Sequence, residues 1–241
     1  MAVNGTTNSP YEPIFAKYAG AIPQAYLRTL AYKESSFKAD VVHPQSNATG
    51  LFQITSICLQ GFNKAKGTAL KLAQLKDPNL NTIVAVYHLG HVIGVYAQVR
   101  SLKPDWTSRR WLELLTLGWN AGHNAIIGLA KQMEASGLPP ERITVDSASQ
   151  LARATGKGKY VAEPDRVAWS KSVATMFLGG GIIPTGKSRL RQLASMLPAL
   201  PAAKGGGIAV AFALAAAGAA LILKKKEASD DFTGRAAYAR T

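Results

Sequence analysis

Glu34 follows Leu30 by four residues and Leu27 by seven, so on a helix it continues the face that those leucines turn inward. A carboxylate on such a face loses water, and loss of water raises its pKa. A glutamate kept protonated near neutral pH is what proton donation to a glycosidic oxygen requires. Spacing alone favours the plainer alternative, a helix-end glutamate that reaches solvent or caps a neighbour. Sixteen residues after Glu34, Gly50-Leu51-Phe52-Gln53-Ile54 combines a glycine that lets backbone approach a ligand with an amide that both donates and accepts. Gly118-Trp119-Asn120-Ala121-Gly122 sets an aromatic ring and an amide between glycines, a combination suited to lining a saccharide cleft. Taken singly, the first of these two segments reads equally as a loop entering a helix, the second as a helix terminus.

Other chemistry-bearing residues carry less. His88 and His91 share a helix face, but no acidic partner nearby completes a metal set; no metal is expected, and two polar positions on a packed helix are the simpler reading. His123 adjoins the Trp119 segment and is a candidate for substrate contact. The single cysteine, Cys58, excludes an intrachain disulfide and the cysteine metal signatures, and its apolar surroundings suggest a buried small hydrophobe. Gly181 to Ser188 fits the phosphate-binding loop pattern. Only 53 residues follow, with no strand ending in aspartate to hold magnesium, so neither nucleotide nor any other cofactor is expected.

The elements that would position these residues are mainly helical. A short helix is expected over Glu12–Ala19, closed by Gly20. A second starts near Pro23 with Tyr26, Leu27, Leu30 and Ala31 as its apolar stripe. Residues 37–50 read as loop or a small irregular arm, and the apolar run Leu51–Leu59 as the opening of another helix. Asp77-Pro78-Asn79 is a cap signal before a long apolar helix from Leu80 to Val99, and Ser108 caps the helix leading to Gly118. No repeat of solenoid period is present.

The chain has 241 residues and a net charge of +14. That surplus favours anionic partners: nucleic acid, acidic lipid or the phosphate-rich polymers of a bacterial envelope. The first residues carry neither a basic nor an apolar leader region, so a secretory signal peptide is not expected there. Residues 184–207 read as a basic Pro/Gly linker. Beyond it, 208–223 is an unbroken apolar run closed by Lys224 to Lys226, and the uncharged stretch from Gly205 covers 19 residues, about 28 Å as a helix. A membrane-spanning helix is therefore expected over 208–223, with a charged tail at 224–241, although eight of those sixteen residues are alanine and an Ala-rich packed helix is the alternative.

Order and spacing bring the three segments together. Glu-Ser-x-Phe at 34–37, Ser-Asn-Ala-Thr-Gly-Leu-Phe-Gln-Ile at 46–54 and Trp-Asn-Ala-Gly at 119–122 resemble the soluble lytic transglycosylase family in order and register. Asp77 to Asn81 and Tyr160-Val161 resemble its intervening and downstream patterns, so the resemblance covers about residues 10–175. It implies a mainly α, lysozyme-like catalytic domain over 10–183 after a flexible 1–9, with a cleft for peptidoglycan glycan strands. Glu34 matches the family's lone catalytic glutamate. The implied reaction cleaves the bond between N-acetylmuramic acid and N-acetylglucosamine and leaves a 1,6-anhydro product. Ser35, Gln53 and Asn120 match positions lining the family's active site, and Ser46 is a further candidate. The chain departs from the family at Trp119, where tyrosine is usual; Tyr87 or Tyr160 is then expected to supply the missing hydroxyl.

These expectations make the chain an enzyme without metal or cofactor, acting on peptidoglycan and associated with membrane through 208–223, with no specific nucleic-acid partner. A virion protein that opens the wall during phage genome entry fits the absent leader and the tail; an envelope enzyme of a secretion or conjugation apparatus is the alternative location. The alternatives in kind are a glycan-binding structural protein that does not cut and a lysozyme-type hydrolase, which needs a second carboxylate.

Overall fold

A computed structural model describes residues 9–179, which form eight α-helices joined by turns and short 3₁₀ segments. Among these residues the only β pairing is isolated: Val42 with Thr49, and Thr49 with Ile54. The mainly α expectation holds, with the small arm where the loop composition placed it.

Most helix ends follow from their cap residues. Helix α1 (Glu12–Tyr18) starts with Glu12 and Pro13, and Gly20 turns the chain away at φ +58°. Helix α2 (Gln24–Ser35) begins after Pro23 and stops where Ser36 enters the left-handed region. Helix α4 (Pro78–Tyr96) is capped by Asp77, which accepts the Leu80 N–H at 2.9 Å. Ser108 does the same for α5 (Arg109–Ala121), accepting from Trp111 N–H at 3.3 Å. The remaining helices are α3 (Ser56–Lys66), α6 (His123–Ala135), α7 (Val145–Thr155) and α8 (Pro164–Gly179).

Two expected boundaries are corrected. The run from Leu51 does not open a helix; α3 starts at Ser56, where Thr55 caps it. Leu51, Phe52 and Ile54 are apolar because the arm itself is buried, and the Asn81 side chain holds it. Asn81, fully buried, accepts from Phe52 N–H at 2.9 Å and donates to Thr49 O at 2.8 Å and Leu75 O at 2.9 Å. Gly50 passes so close that a Cβ there would sit 2.2 Å from Asn81 Nδ2, and its φ is +82°. Nor does α5 end at Gly118. That glycine lies inside the helix, where the Tyr96 hydroxyl would come within 2.0 Å of a Cβ.

Helix α5 is the hub. Every residue from Trp111 to Gly118 is buried, which suits a helix surrounded by others rather than one lying on a surface. It packs most extensively on α8 and α6, and also meets α4 and α7. An edge-to-face aromatic cluster ties α2 to α8 and the start of α5: Tyr26 lies 5.2 Å from Trp106 and 5.5 Å from Phe177, and Trp106 lies 4.8 Å from Trp111. This packing fixes the first turn of α2 against α8 and the start of α5.

No helix among the described residues is long and apolar enough to cross a membrane. The linker at 184–207, the apolar helix at 208–223, the tail at 224–241 and the phosphate-loop-like segment all lie outside the described residues, as do residues 1–8.

Candidate active site

Glu34 is the penultimate residue of α2, one turn past Leu30, and Leu27 and Leu30 beneath it are fully buried. The chain then leaves the helix through two successive non-glycine residues in the left-handed region, Ser36 at φ 53° and Phe37 at φ 64°. Such backbone costs on the order of 1–3 kcal/mol per residue and persists only where surrounding structure enforces it. Here the sharp turn stops α2 immediately behind the glutamate.

The last turn of α5 brings Trp119 to Glu34: the indole Nε1–H donates to Oε1 at 2.7 Å. Glu34 is half-buried as a residue. Withdrawal of its carboxyl from water pushes the pKa up to about 7, against the indole hydrogen bond, which favours the charged form. The carboxyl therefore exists in both protonation states near neutral pH, and its one side-chain partner stabilises the anion. An indole donates and never accepts.

Other polar groups surround this pair. Tyr26, two turns before Glu34 on α2, is fully buried with its hydroxyl 2.9 Å from Thr116 Oγ1 of α5. Burial raises its pKa; the Thr116 hydrogen bond opposes the rise and the charge of Glu34 adds to it. On the far side of the indole, the His88 ring lies 5.3 Å from Trp119 and 5.8 Å from His123, which lies 5.2 Å from His91. Burial first, then the neighbouring imidazoles, lower both His88 and His123 to about 4, so both are neutral at the pH where Glu34 titrates.

The remaining expected site residues divide between support and exposure. Ser35 is buried, and its hydroxyl donates to Ala31 O at 3.1 Å, so it is committed to its own helix rather than to Glu34. The Gln53 amide donates to Gly50 O at 2.9 Å and Val41 O at 3.3 Å, fastening the arm, with its own backbone at φ 47°. Ser46 is exposed, and its hydroxyl accepts from Ala48 N–H at 3.4 Å. Tyr87 stacks edge-on with Phe62 at 5.3 Å, takes the Lys66 ammonium over its ring at 5.2 Å, and lines an open groove of about 470 Å³ with Tyr18, Ile83 and Val86. Tyr160 packs under the Arg166 guanidinium at 4.8 Å. Asn120, next to Trp119, has both its side-chain Oδ1 and its backbone carbonyl bonded to Arg166 Nη1.

The group that meets Glu34 is thus the Trp119 indole, and the tyrosine whose pKa registers the Glu34 charge is Tyr26. Sequence reasoning missed Tyr26 because it reads as one more apolar-stripe residue. It missed Arg166 because nothing in the chain marks a partner 46 residues away. The histidines could have been grouped only by placing the end of α5 and the start of α6 beside α4. Among the described residues no group of three or more His, Cys, Asp or Glu is arranged to hold a metal ion.

The second carboxyl raised by burial, Glu113, is opposed by Arg109 at 3.6 Å within α5. Asp40, the next acid after Glu34, is exposed on the arm.

Comparison with known proteins gives two findings. The sequence pattern of the family described as the transglycosylase SLT domain matches residues 13–137. Among solved structures, the crystal structure of the 70 kDa soluble lytic transglycosylase from Escherichia coli is similar at 22% identity and a TM-score of 0.45, over 70% of this chain and 24% of that one. This chain therefore spans about a quarter of the length of that protein. No curated protein matches. The family match takes in more than half of the chain, with Glu34, the arm and the Trp119 segment all inside it, and on that ground the chain belongs to the transglycosylase SLT domain family.

Proposed function

We propose that the protein is a peptidoglycan lytic transglycosylase in which Glu34 is the single acid and base. The observation that carries this reading is one carboxyl poised near pH 7 by burial, with an indole N–H as its partner. Protonated Glu34 gives its proton to the oxygen linking N-acetylmuramic acid to N-acetylglucosamine, and the C1–O bond breaks. The resulting carboxylate, held by Trp119 Nε1–H, takes the proton of the muramoyl C6 hydroxyl as that oxygen closes on C1. Glu34 ends protonated, no water is consumed, and the product carries a 1,6-anhydro ring. A carboxyl that alternates between both states in one turnover needs a pKa close to the working pH.

One acid suffices for this sequence, whereas hydrolysis by the usual inverting or retaining routes needs two flanking the bond. Neither Glu113, facing Arg109, nor the exposed Asp40 has the environment of Glu34. Ser35 and Gln53 support the site by fixing the end of α2 and the arm; Asn120, Tyr160, Ser46 and Tyr87 are proposed along the glycan path. Digestion of purified peptidoglycan by the full chain tests the reading. Soluble products that resist borohydride labelling support it, and products with reducing ends point to a hydrolase. Binding without release favours a glycan-binding structural protein.

A surplus of 14 positive charges suits the anionic polymers of a bacterial wall, and the 19-residue uncharged run is long enough to hold the chain at a bilayer beside it. Carriage in a phage particle for local wall opening during genome entry is the proposed setting. Detection in purified virions supports it, and absence from them leaves an envelope apparatus as the location.

A further inference from the structure

We propose that Arg166 is a positioning residue of this site, acting through Asn120 on the Trp119–Glu34 pair, and that α8 is consequently part of the catalytic unit although it lies beyond the matched family segment. The inference rests on the proposed reading of Glu34. Arg166 stands in the first turn of α8, and its guanidinium joins three residues. Nη1–H donates to the Asn120 carbonyl at 2.7 Å and also to Asn120 Oδ1; Nε–H donates to Glu163 Oε2 at 2.6 Å; the plane lies over the Tyr160 ring at 4.8 Å. Asn120 immediately precedes the end of α5, so its carbonyl belongs to the last turn, whose acceptors have no partner within the helix. One side chain from a distant element thereby satisfies the Asn120 carbonyl and fastens that turn to α8.

Two consequences follow for the chemistry. Trp119 is the preceding residue of the same turn, and its indole reaches Glu34 at 2.7 Å. A turn free to fray would carry the donor away, and a displacement of about 1 Å in such a contact can cost on the order of a hundredfold in rate. Arg166 also decides which way round the Asn120 amide sits. A guanidinium has donors only, so the amide must face it with Oδ1. The Nδ2 donors remain for an acceptor, and the matching chemistry on a bound glycan is a hydroxyl or acetamido carbonyl oxygen. Lysine cannot reproduce this arrangement, because a point charge lacks the planar fork that bonds two oxygens and a carboxylate while lying over a ring.

The test uses the full chain labelled with ¹⁵N at its tryptophans, of which there are four, with Trp119→Phe identifying the Trp119 indole signal. In the wild type that signal titrates with Glu34. Arg166→Met and Arg166→Lys are expected to shift it toward its position in Glu34→Gln and to blunt its titration. Cleavage of peptidoglycan by both variants is expected to fall by about tenfold or more, with little further loss when Trp119→Phe is added. An indole signal and titration unchanged by either Arg166 variant overturns the proposal, whether or not the protein cleaves. Loss of activity that is fully additive with Trp119→Phe overturns it as well. A wild-type chain that releases nothing from peptidoglycan contradicts the functional reading instead, and the indole titration still decides the role of Arg166.

Discussion

At Glu34 two effects of opposite sign meet, and burial wins over the indole hydrogen bond, leaving the pKa near 7 rather than at the ordinary 4.5. Trp119→Phe removes the opposing effect. The carboxyl should then hold its proton to higher pH, and the basic limb of the pH–rate profile should move up by about one pH unit. The maximal rate should fall by about tenfold, because the carboxylate formed in mid-reaction loses its donor. A basic limb that stays in place would show that the indole does not act on Glu34. Stability carries the same signature. Since the folded-state pKa lies above the unfolded one, wild-type stability falls as pH rises from about 4.5 through about 7. Glu34→Gln should therefore be more stable than wild type above pH 7, by up to about 3 kcal/mol, with the difference vanishing below pH 4.5; urea unfolding at pH 4 and pH 8 measures it. The position of Glu34 on an apolar stripe was legible from Leu27 and Leu30. Its partner was legible only through the family resemblance, which marked Trp119 as standing where a tyrosine is usual; spacing alone does not point to an indole 85 residues away.

Elements whose ends are written in caps were legible. Asp77-Pro78 and Ser108 announce α4 and α5, and the side chains accept the expected N–H groups. The second half of the arm was not, because Leu51 to Ile54 carry the apolarity of a helix while the backbone turns, with Gly50 and Gln53 at positive φ. What allows such a segment to be buried is the Asn81 side chain, which satisfies three backbone groups from inside the core. Asn81→Ala leaves these groups without partners and should cost about 2–4 kcal/mol, read by urea unfolding. A loss below about 0.5 kcal/mol would mean that the arm is fixed by its apolar side chains alone. Gly118 misled in the opposite direction. A glycine late in a helical pattern reads as a terminus, yet α5 keeps it for the close approach of Tyr96.

For the whole molecule, the mainly helical class and the family were readable from three short segments in register, and the match over residues 13–137 agrees with them. The dependence of that segment on α8 was not readable, since Arg166, Trp169 and Phe177 carry no motif; their place is set by packing against α5 and α2. The uncharged run of 19 residues near the C-terminus leads to a further prediction. The full chain should float with vesicles of phosphatidylethanolamine and phosphatidylglycerol even in about 0.5 M salt, where surface electrostatics are screened. Ala215→Asp with Ala216→Asp should abolish flotation. Release of the wild type by salt alone would assign the binding to the basic residues instead.

The central claim is that Glu34 alone performs both proton transfers, and mass spectrometry of muropeptides tests it most directly. Purified peptidoglycan is digested by the full wild-type chain and by Glu34→Gln, each checked for folding by circular dichroism. Wild type should release 1,6-anhydro-muramoyl products and Glu34→Gln none. Reducing-end products from the wild type, or anhydro products that persist in Glu34→Gln, would contradict it.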